Sequence, residues 1–266
     1  MTIREMLDSN REMSLEDGLY FYNKESISSS FEKLYLEIRE KEGRIYPDEV
    51  VMNLPDVSDE HPLRKEWTIR KKSSDWLTNY LSVYNLRPTK VLEVGCGNGW
   101  LSNKLYRTFP FDICGVDINE SELKQASRLS KSKRLLFVHG NILEDLFPSE
   151  TFEIIVLASS IQYFPDLNLL IKRLLELLKP FGEIHILDSP ICDSIHESKK
   201  KSRSSYRYFS SLGFSEMSAH YFYHTWEELA GTKFTIMFDP KSWKAFLKRR
   251  LGFIQTPFPW IKILRD

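Results

Sequence analysis

Three glycines within five residues, Gly95, Gly97 and Gly99, follow a short β-rich run at 90–94 and precede a stretch at 100–106 that reads as a helix. Glycine permits backbone conformations and close approaches that a Cβ would block. A helix starting there also presents N–H groups with no partner inside the helix. Such a turn lets a ligand lie almost on the backbone, although an ordinary tight strand-to-helix connection is built the same way. Two acids add chemistry. Glu93 stands two residues before Gly95 on the strand, and Asp117 ends the next strand, 22 residues beyond Gly95. A carboxylate in that second place can accept both hydroxyls of a ribose. The pair suits a ligand with a free amino group and a ribose diol, and suits a pyrophosphate poorly. Trp100 stands where a G-x-G-x-x-G fingerprint needs its third glycine, which counts further against a dinucleotide.

More candidates follow the later strands, at the carboxyl ends where ligands bind in open α/β sheets. Gln162 and Tyr163 come after the run at 152–157 and would either contact a substrate or pack as loop residues. Asp188 comes after the run at 183–187; it would orient or deprotonate an acceptor, or else cap the next helix. His220 and His224 bracket Tyr221, Phe222 and Tyr223, an aromatic segment suited to walling a pocket or to packing a lid. His185, inside a strand, reads as an interior histidine, and the basic run 199–203 as a solvated helix face. Trp67, Arg70 and Ser74 share one helix face, from which Arg70 would meet a carboxylate unless the face only docks the helix.

A sheet is needed to hold these residues. Runs at 90–94, 111–116, 134–138, 152–157 and 183–187 are predicted strands, and helical stretches at 100–106, 120–129 and 168–178 alternate with them. That alternation implies right-handed βαβ units and a mainly parallel sheet. The run at 152–157 has Glu153 as its sole polar residue, as a strand buried on both faces should. Beyond it, helices are expected at 197–212, 226–229 and 242–251, and two last strands at 234–238 and 260–264. Ahead of Thr89 the chain opens with a polar, weakly patterned stretch to about Ser30, read as partly flexible. A helix over 31–39, a Pro-punctuated acidic stretch and a second helix ending before Pro88 follow. The expectation is a helical extension or lid over 1–85, which would either close over a ligand or only dock on the sheet, and a ligand-binding domain over 86–266.

Val91-Leu92-Glu93-Val94-Gly95-Cys96-Gly97-Asn98-Gly99 resembles the first motif of class I S-adenosylmethionine-dependent methyltransferases. The resemblance continues through Asp117, Gly140-Asn141-Ile142, the stretch from Ala158 through Ser159, Ser160, Gln162 and Tyr163 to Asp166, and Leu178-Lys179-Pro180-Phe181-Gly182-Glu183. It covers roughly residues 89–190, and the ordered series is far more specific than the glycine turn alone. It implies a Rossmann-like α/β fold whose seven-stranded, mostly parallel sheet ends in an antiparallel strand, with helices on both faces. It also implies that Gly95, Cys96 and Gly97, in a loop completed by Asn98 and Gly99, line the methionine part of the cofactor. Glu93 would act on its amino group, Asp117 would hold the ribose and Ile118 would pack on the adenine. Asn141 stands where the family usually has Asp; it would accept from the adenine amino group through its carbonyl oxygen, with Ile142 offering a backbone N–H. Ser159, Ser160 and Gln162 would border the methionine moiety and the methyl group, and Arg70 would meet its carboxylate. Many relatives carry a histidine pair where this chain has Gln162 and Tyr163, so no histidine mechanism transfers; Asp188 and Tyr163 are the candidate catalytic residues.

Composition weighs against several rivals. Thirty-seven basic and thirty-seven acidic residues cancel, whereas a nucleic-acid-binding domain should be strongly basic. No apolar run approaches the roughly 20 residues of a membrane span, and the charged amino terminus lacks a secretory pattern. Cys96, Cys114 and Cys192 share no metal-ligand spacing, so no metal and a reducing cytoplasm are expected. The expectation is therefore methyl transfer from S-adenosyl-L-methionine to a small-molecule acceptor, driven mainly by proximity and orientation, worth roughly 7–11 kcal/mol at best. The rival from another class is a non-catalytic cofactor-binding or partner protein on the same fold. An acceptor side walled off by Phe164 or by the segment around Tyr221 would favour that rival. Aminopropyl transfer from the same donor would need a second acidic cluster suited to a polyamine, and none is visible.

Overall fold

The apolar runs do form the expected sheet, and the chain adds two strands to it. The computed structural model describes residues 1–23, 29–84, 87–252 and 256–266. In chain order the elements are α1 (Ile3–Ser9), β1 (Met13–Glu16), β2 (Leu19–Tyr22), α2 (Ser29–Lys41), α3 (Asp48–Asn53) and α4 (Arg64–Leu81). Then come β3 (Lys90–Val94), α5 (Trp100–Thr108), β4 (Asp112–Asp117), α6 (Glu120–Leu129), β5 (Leu135–His139), β6 (Phe152–Ala158), α7 (Leu167–Leu177) and β7 (Leu178–Leu187). The last third holds β8 (Ile191–Cys192), α8 (Ile195–Leu212), β9 (His224–Thr225), α9 (Trp226–Leu229), β10 (Phe234–Phe238), α10 (Trp243–Arg250) and β11 (Trp260–Leu264).

The main sheet runs β1-β2-β5-β4-β3-β6-β7-β11-β10. Strands β2 to β7 of that order are parallel, β11 is antiparallel to β7, and β10 is antiparallel to β11. All seven expected strands are present, but the sheet has nine. The additional pair corrects the reading of the opening stretch as weakly patterned and flexible. Asp17 and Gly18, both at positive φ (49° and 83°), form the two-residue turn of a hairpin in which Glu16 faces Leu19. An Asp-Gly turn of this kind is a strong hairpin signal. The strand behind it, Leu-Tyr-Phe-Tyr, is buried on both faces and so shows no alternation to read. Residues 24–28 of that opening, and the expected boundary between 85 and 86, lie outside the described residues. Strand β7 also starts earlier than expected, at Leu178, with an irregularity in its pairing to β6 between Phe152 and Ile154.

Alternate residues of the strands feed two cores. Leu92, Val116, Val138, Ile155 and Ile186 pack with Leu7 of α1 and Leu170 and Leu174 of α7. Val91, Ile113, Phe137 and Val156 pack on the other face with Leu77 and Leu81 of α4, Leu101 of α5 and Leu123 of α6. Helix α4 is also held by a buried polar cluster. Tyr80 donates to Glu183 Oε1 at 2.8 Å, and Trp260 Nε1–H donates to His185 Nδ1 at 3.2 Å. An indole nitrogen only donates, so His185 accepts at Nδ1 and gives its Nε2 proton to Glu183 at 3.2 Å. Burial holds its pKa below the ordinary value; it is an interior histidine. The result is that α4 lies across the sheet with Arg70 and Ser73 over the strand ends. The strand order reverses at β3, between β4 and β6, and a ligand crevice belongs outside that point.

Candidate active site

A crevice of about 1320 Å³ opens there, lined by the strand ends, by α2 and α4, and by the segment at 220–223. Its floor is the glycine loop. Gly95 takes φ 73°, and a Cβ on it would sit 2.4 Å from Cβ of Ser160, so neither the conformation nor the space admits a side chain. Ser160 is held in that position by donating to Val94 O at 2.8 Å. Asp117 ties the loop to β4: Oδ2 accepts from Gly97 N at 2.8 Å and Oδ1 from Asn119 N at 2.9 Å. A carboxylate has about four acceptor sites, so these backbone N–H bonds, with a further one from Ile118, do not use up its capacity to accept from a ligand. Burial nevertheless pushes its pKa up, against those N–H bonds. Glu93 is 2% exposed, hydrogen-bonded by Ser102 of α5, and burial raises it to about 8.

At the ends of β6 and β7 two non-glycine residues adopt positive φ, Ser159 at 60° and Asp188 at 52°. Such backbone costs of order 1–3 kcal/mol and persists where surroundings enforce it, commonly at functional sites. Ser159 Oγ accepts from Arg70 at 3.3 Å, and its carbonyl accepts from Gln162 Nε2 at 2.6 Å. Asp188 Oδ2 accepts from Ser73 at 2.7 Å. Two buried acceptors on this wall, Asp188 Oδ1 and Gln162 Oε1, have no hydrogen-bond partner among the described residues, an arrangement that costs free energy until a donor arrives. Burial raises Asp188 to about 6, partly offset by Arg70. It caps no helix, since Ser194 caps α8.

The far side of the crevice is aromatic. Tyr163 stands edge-on to Tyr35 and Tyr221, with ring centroids 5.8 and 5.6 Å away, and to Phe31 at 6.4 Å. Its hydroxyl accepts from Arg39, and burial raises its pKa although Arg39 opposes this. Arg39 begins a ladder of alternating charge down the wall: Arg39 to Glu42 at 2.5 Å, Glu42 to Arg44 at 3.0 Å, Arg44 to Glu66 at 2.7 Å, and Glu66 to Arg70 at 3.0 Å. Burial alone would raise Glu66, but Arg44 and Arg70 outweigh it and hold it at about 2.

The crevice brings together Arg70, Glu93, Gly95, Cys96, Gly97, Asn98, Asp117, Ile118, Asn141, Ile142, Ser159, Ser160, Gln162, Tyr163 and Asp188. Gly99 is not on its wall: φ is 71°, and a Cβ there would meet Phe137 at 2.6 Å, so this glycine serves the packing of α5 on β5. Asn141 Oδ1 is already engaged, accepting from Leu143 N at 3.1 Å. Of the aromatic segment, His220, Tyr221 and Tyr223 face the crevice. His224 instead bonds Glu228 and Ile161 O in the interior. Lys201, from the run read as a solvated face, also reaches the lining. Sequence reading missed Arg39, Glu66 and Glu122. Glu122 carries the ordinary signature of a helix start, three residues after the cap Asn119, which hides that burial, with Asp117 adding to it, raises its carboxyl to about 7 beside the glycine loop.

The sequence profile of the methyltransferase domain matches residues 87–239, more than half of the chain. The chain belongs to the methyltransferase-domain family. Its mostly parallel α/β sheet, two strands larger than expected, fits the class I, S-adenosylmethionine-dependent methyltransferases. The malonyl-[acyl-carrier protein] O-methyltransferase of Priestia megaterium is 30% identical over 44% of this chain and 43% of its own length. The uncharacterized methyltransferase YdaC of Bacillus subtilis is 26% identical over 56% of this chain and 82% of its own. The chain spans less than half of the first curated relatives it matches. Among solved structures, the YcgJ protein of Bacillus subtilis superposes with a TM-score of 0.55 over 74% of this chain and 99% of its own, at 14% identity, which speaks to the fold.

The residues present fit the family's cofactor. The loop offers a cradle that Cβ atoms would fill, Asp117 keeps unused acceptor sites, and Asp188 and Gln162 hold unpartnered ones. Among the described residues no cluster of His, Cys, Asp or Glu could hold a metal ion, and no helix is long and apolar enough to cross a membrane.

Proposed function

We propose that the protein methylates a small molecule held against the aromatic half of the crevice. The observation that carries this reading is continuity: one crevice reaches from the glycine loop to Tyr163, Tyr221 and Tyr223, with Phe164 among its lining residues. Its 1320 Å³ exceeds the roughly 300–1,000 Å³ of a single-ligand pocket, which suits a donor and an acceptor side by side.

In this reading Gly95, Cys96, Gly97 and Asn98 hold the donor's methionine part by backbone, and Glu93 takes a negative charge as an ammonium approaches. Arg70 anchors the carboxylate. Asp117 receives the ribose on its remaining acceptor capacity, while Ile118, Asn141 and Ile142 border the adenine. Ser159, Ser160 and Gln162 shape the floor between the two halves. Bound there, S-adenosylmethionine supplies a methyl group already activated by its sulfonium. Asp188 directs its free Oδ1 at the acceptor. With its pKa near 6, it is mostly ionised at neutral pH yet basic enough to take a proton, a contribution of about 10²–10⁴-fold where the acceptor arrives protonated. Tyr163 keeps its own proton because burial raises its pKa against the pull of Arg39; with its oxygen accepting from Arg39, its O–H is left to donate to the acceptor. The three buried, free cysteines suit a reducing compartment such as the cytoplasm.

Isothermal titration with S-adenosylmethionine and S-adenosylhomocysteine tests the donor site. Micromolar binding is expected, weakened about tenfold or more in Asp117→Ala, which loses an ionic acceptor worth about 1.5–3 kcal/mol. No binding by the folded protein, or an unchanged affinity in the variant, would sink the donor assignment. A labelled-methyl assay on a metabolite extract then tests transfer.

A further inference from the structure

Helix α10 faces outward with the side a core helix would bury. Ala245 is 2% exposed and meets the protein, whereas Trp243, Phe246 and Leu247 are 70%, 54% and 47% exposed. Positions 243, 246, 247 and 250 form a single stripe of a helix, and Ala245 lies across the axis from it. Leu251, directly behind the helix, is 66% exposed and prolongs the stripe. One exposed leucine is ordinary; four large apolar side chains on one outward stripe mark an interaction surface.

Charge narrows the partner. The chain as a whole is neutral, yet residues 240–265 contain no Asp or Glu, and Lys241, Lys244, Lys248, Arg249 and Arg250 crowd around α10. Lys241 pairs with Asp193, and Arg250 lies over the Phe246 ring at 5.6 Å. Lys72 of α4 is close to the same patch: burial, then the like charge of Lys248, lowers its pKa. Cations interleaved with Trp, Phe and Leu match a lipid interface whose headgroups are anionic and whose acyl boundary is apolar. A nucleic acid would use the cations and aromatic rings but leave Leu247 and Leu251 in water. A second copy would set these cations against their like.

We propose that α10 docks the protein peripherally on an anionic lipid surface. A short length of chain leads from α10 to Pro257 and Phe258 on the crevice wall, so docking and acceptor binding are close in the chain. This proposal stands apart from the methyl-donor reading, and either can fail alone.

The test is cosedimentation of the full chain with vesicles of phosphatidylcholine, alone or with about one third phosphatidylserine. Partition onto the anionic vesicles should be about tenfold stronger or more, and should fall with added salt. The triple variant Trp243→Ser, Phe246→Ser, Leu247→Ser, and separately Lys248→Glu, Arg249→Glu, Arg250→Glu, should each lose about tenfold or more. Their melting temperatures check that both variants fold. A second readout needs neither variant: the vesicle-induced blue shift of tryptophan emission should shrink in Trp243→Phe. Equal partition onto both vesicle types, partition retained by the triple serine variant, tighter binding to a single-stranded oligonucleotide, or self-association through α10 overturns the proposal.

Discussion

Replacing Asp188 by asparagine should stabilise the protein while damaging its chemistry. Asp188 is 7% exposed, and burial lifts its carboxyl from 3.8 to about 6. The folded state therefore holds the proton more tightly than the unfolded chain, and stability falls as pH rises from about 3.8 to about 6. At about 1.4 kcal/mol per tenfold change in proton affinity, the ionised carboxylate costs the folded state about 3 kcal/mol at pH 7 and about 1.6 kcal/mol at pH 5. Asparagine removes the charge. Its carbonyl can still accept from Ser73, and its amide takes the place of an oxygen that already lacked a partner, so the cost of an unpaired polar atom carries over. Urea unfolding should show Asp188→Asn more stable by about 3 kcal/mol at pH 7, roughly 6–12 °C in melting temperature for a chain of this size. About half of that gain should remain at pH 5. If Asp188 serves as the base, kcat should fall by about 10²–10⁴-fold in the same variant. A variant no more stable than the parent at pH 7, or a gap of equal size at both pH values, refutes the reasoning.

Two further outcomes follow from the glycine loop and the acid behind it. With Glu93 near 8, about nine in ten molecules carry it protonated at pH 7. Binding a ligand ammonium should therefore release close to one proton, and affinity should rise with pH until about 8; titrations in buffers of different ionisation heat measure this. Glu93→Gln should abolish the release, and a release that persists would assign the proton to Glu122. Gly95→Ala should cost about 2–4 kcal/mol by urea unfolding, because it combines a left-handed φ with a 2.4 Å contact to Ser160. Adding Ser160→Gly should recover the contact share and not the φ share. Stability equal to the parent in the single variant would show that the loop is not held as described.

The sequence was most legible where one local pattern carries the information. The glycine turn, the acids at 93 and 117, and the apolar runs at 90–94 and 152–157 depend on residues close in the chain, and each is found in its expected place. Reading failed where a local signature had two meanings. Leu19–Tyr22 is buried on both faces, so its strand has no alternation, and only Asp17-Gly18 announced the hairpin. Glu122 looked like a helix-cap partner, and it is one, while also facing the crevice. Gly99 belonged to the motif but serves packing against Phe137.

What the sequence determined by itself was the sheet's parallel core, the family and the glycine-loop side of the crevice, because strand, turn and acid lie within a few residues of one another. Only the tertiary structure decided the aromatic side of the crevice. Tyr163, Arg39 and Tyr221 come from segments far apart in the chain and meet over the sheet. Asp188 and Ser73, 115 residues apart, likewise meet because α4 is pinned across the strand ends by Tyr80, Glu183 and Trp260. The charge state of Asp188 follows from that meeting: burial raises its pKa, and neighbours brought by folding set how far.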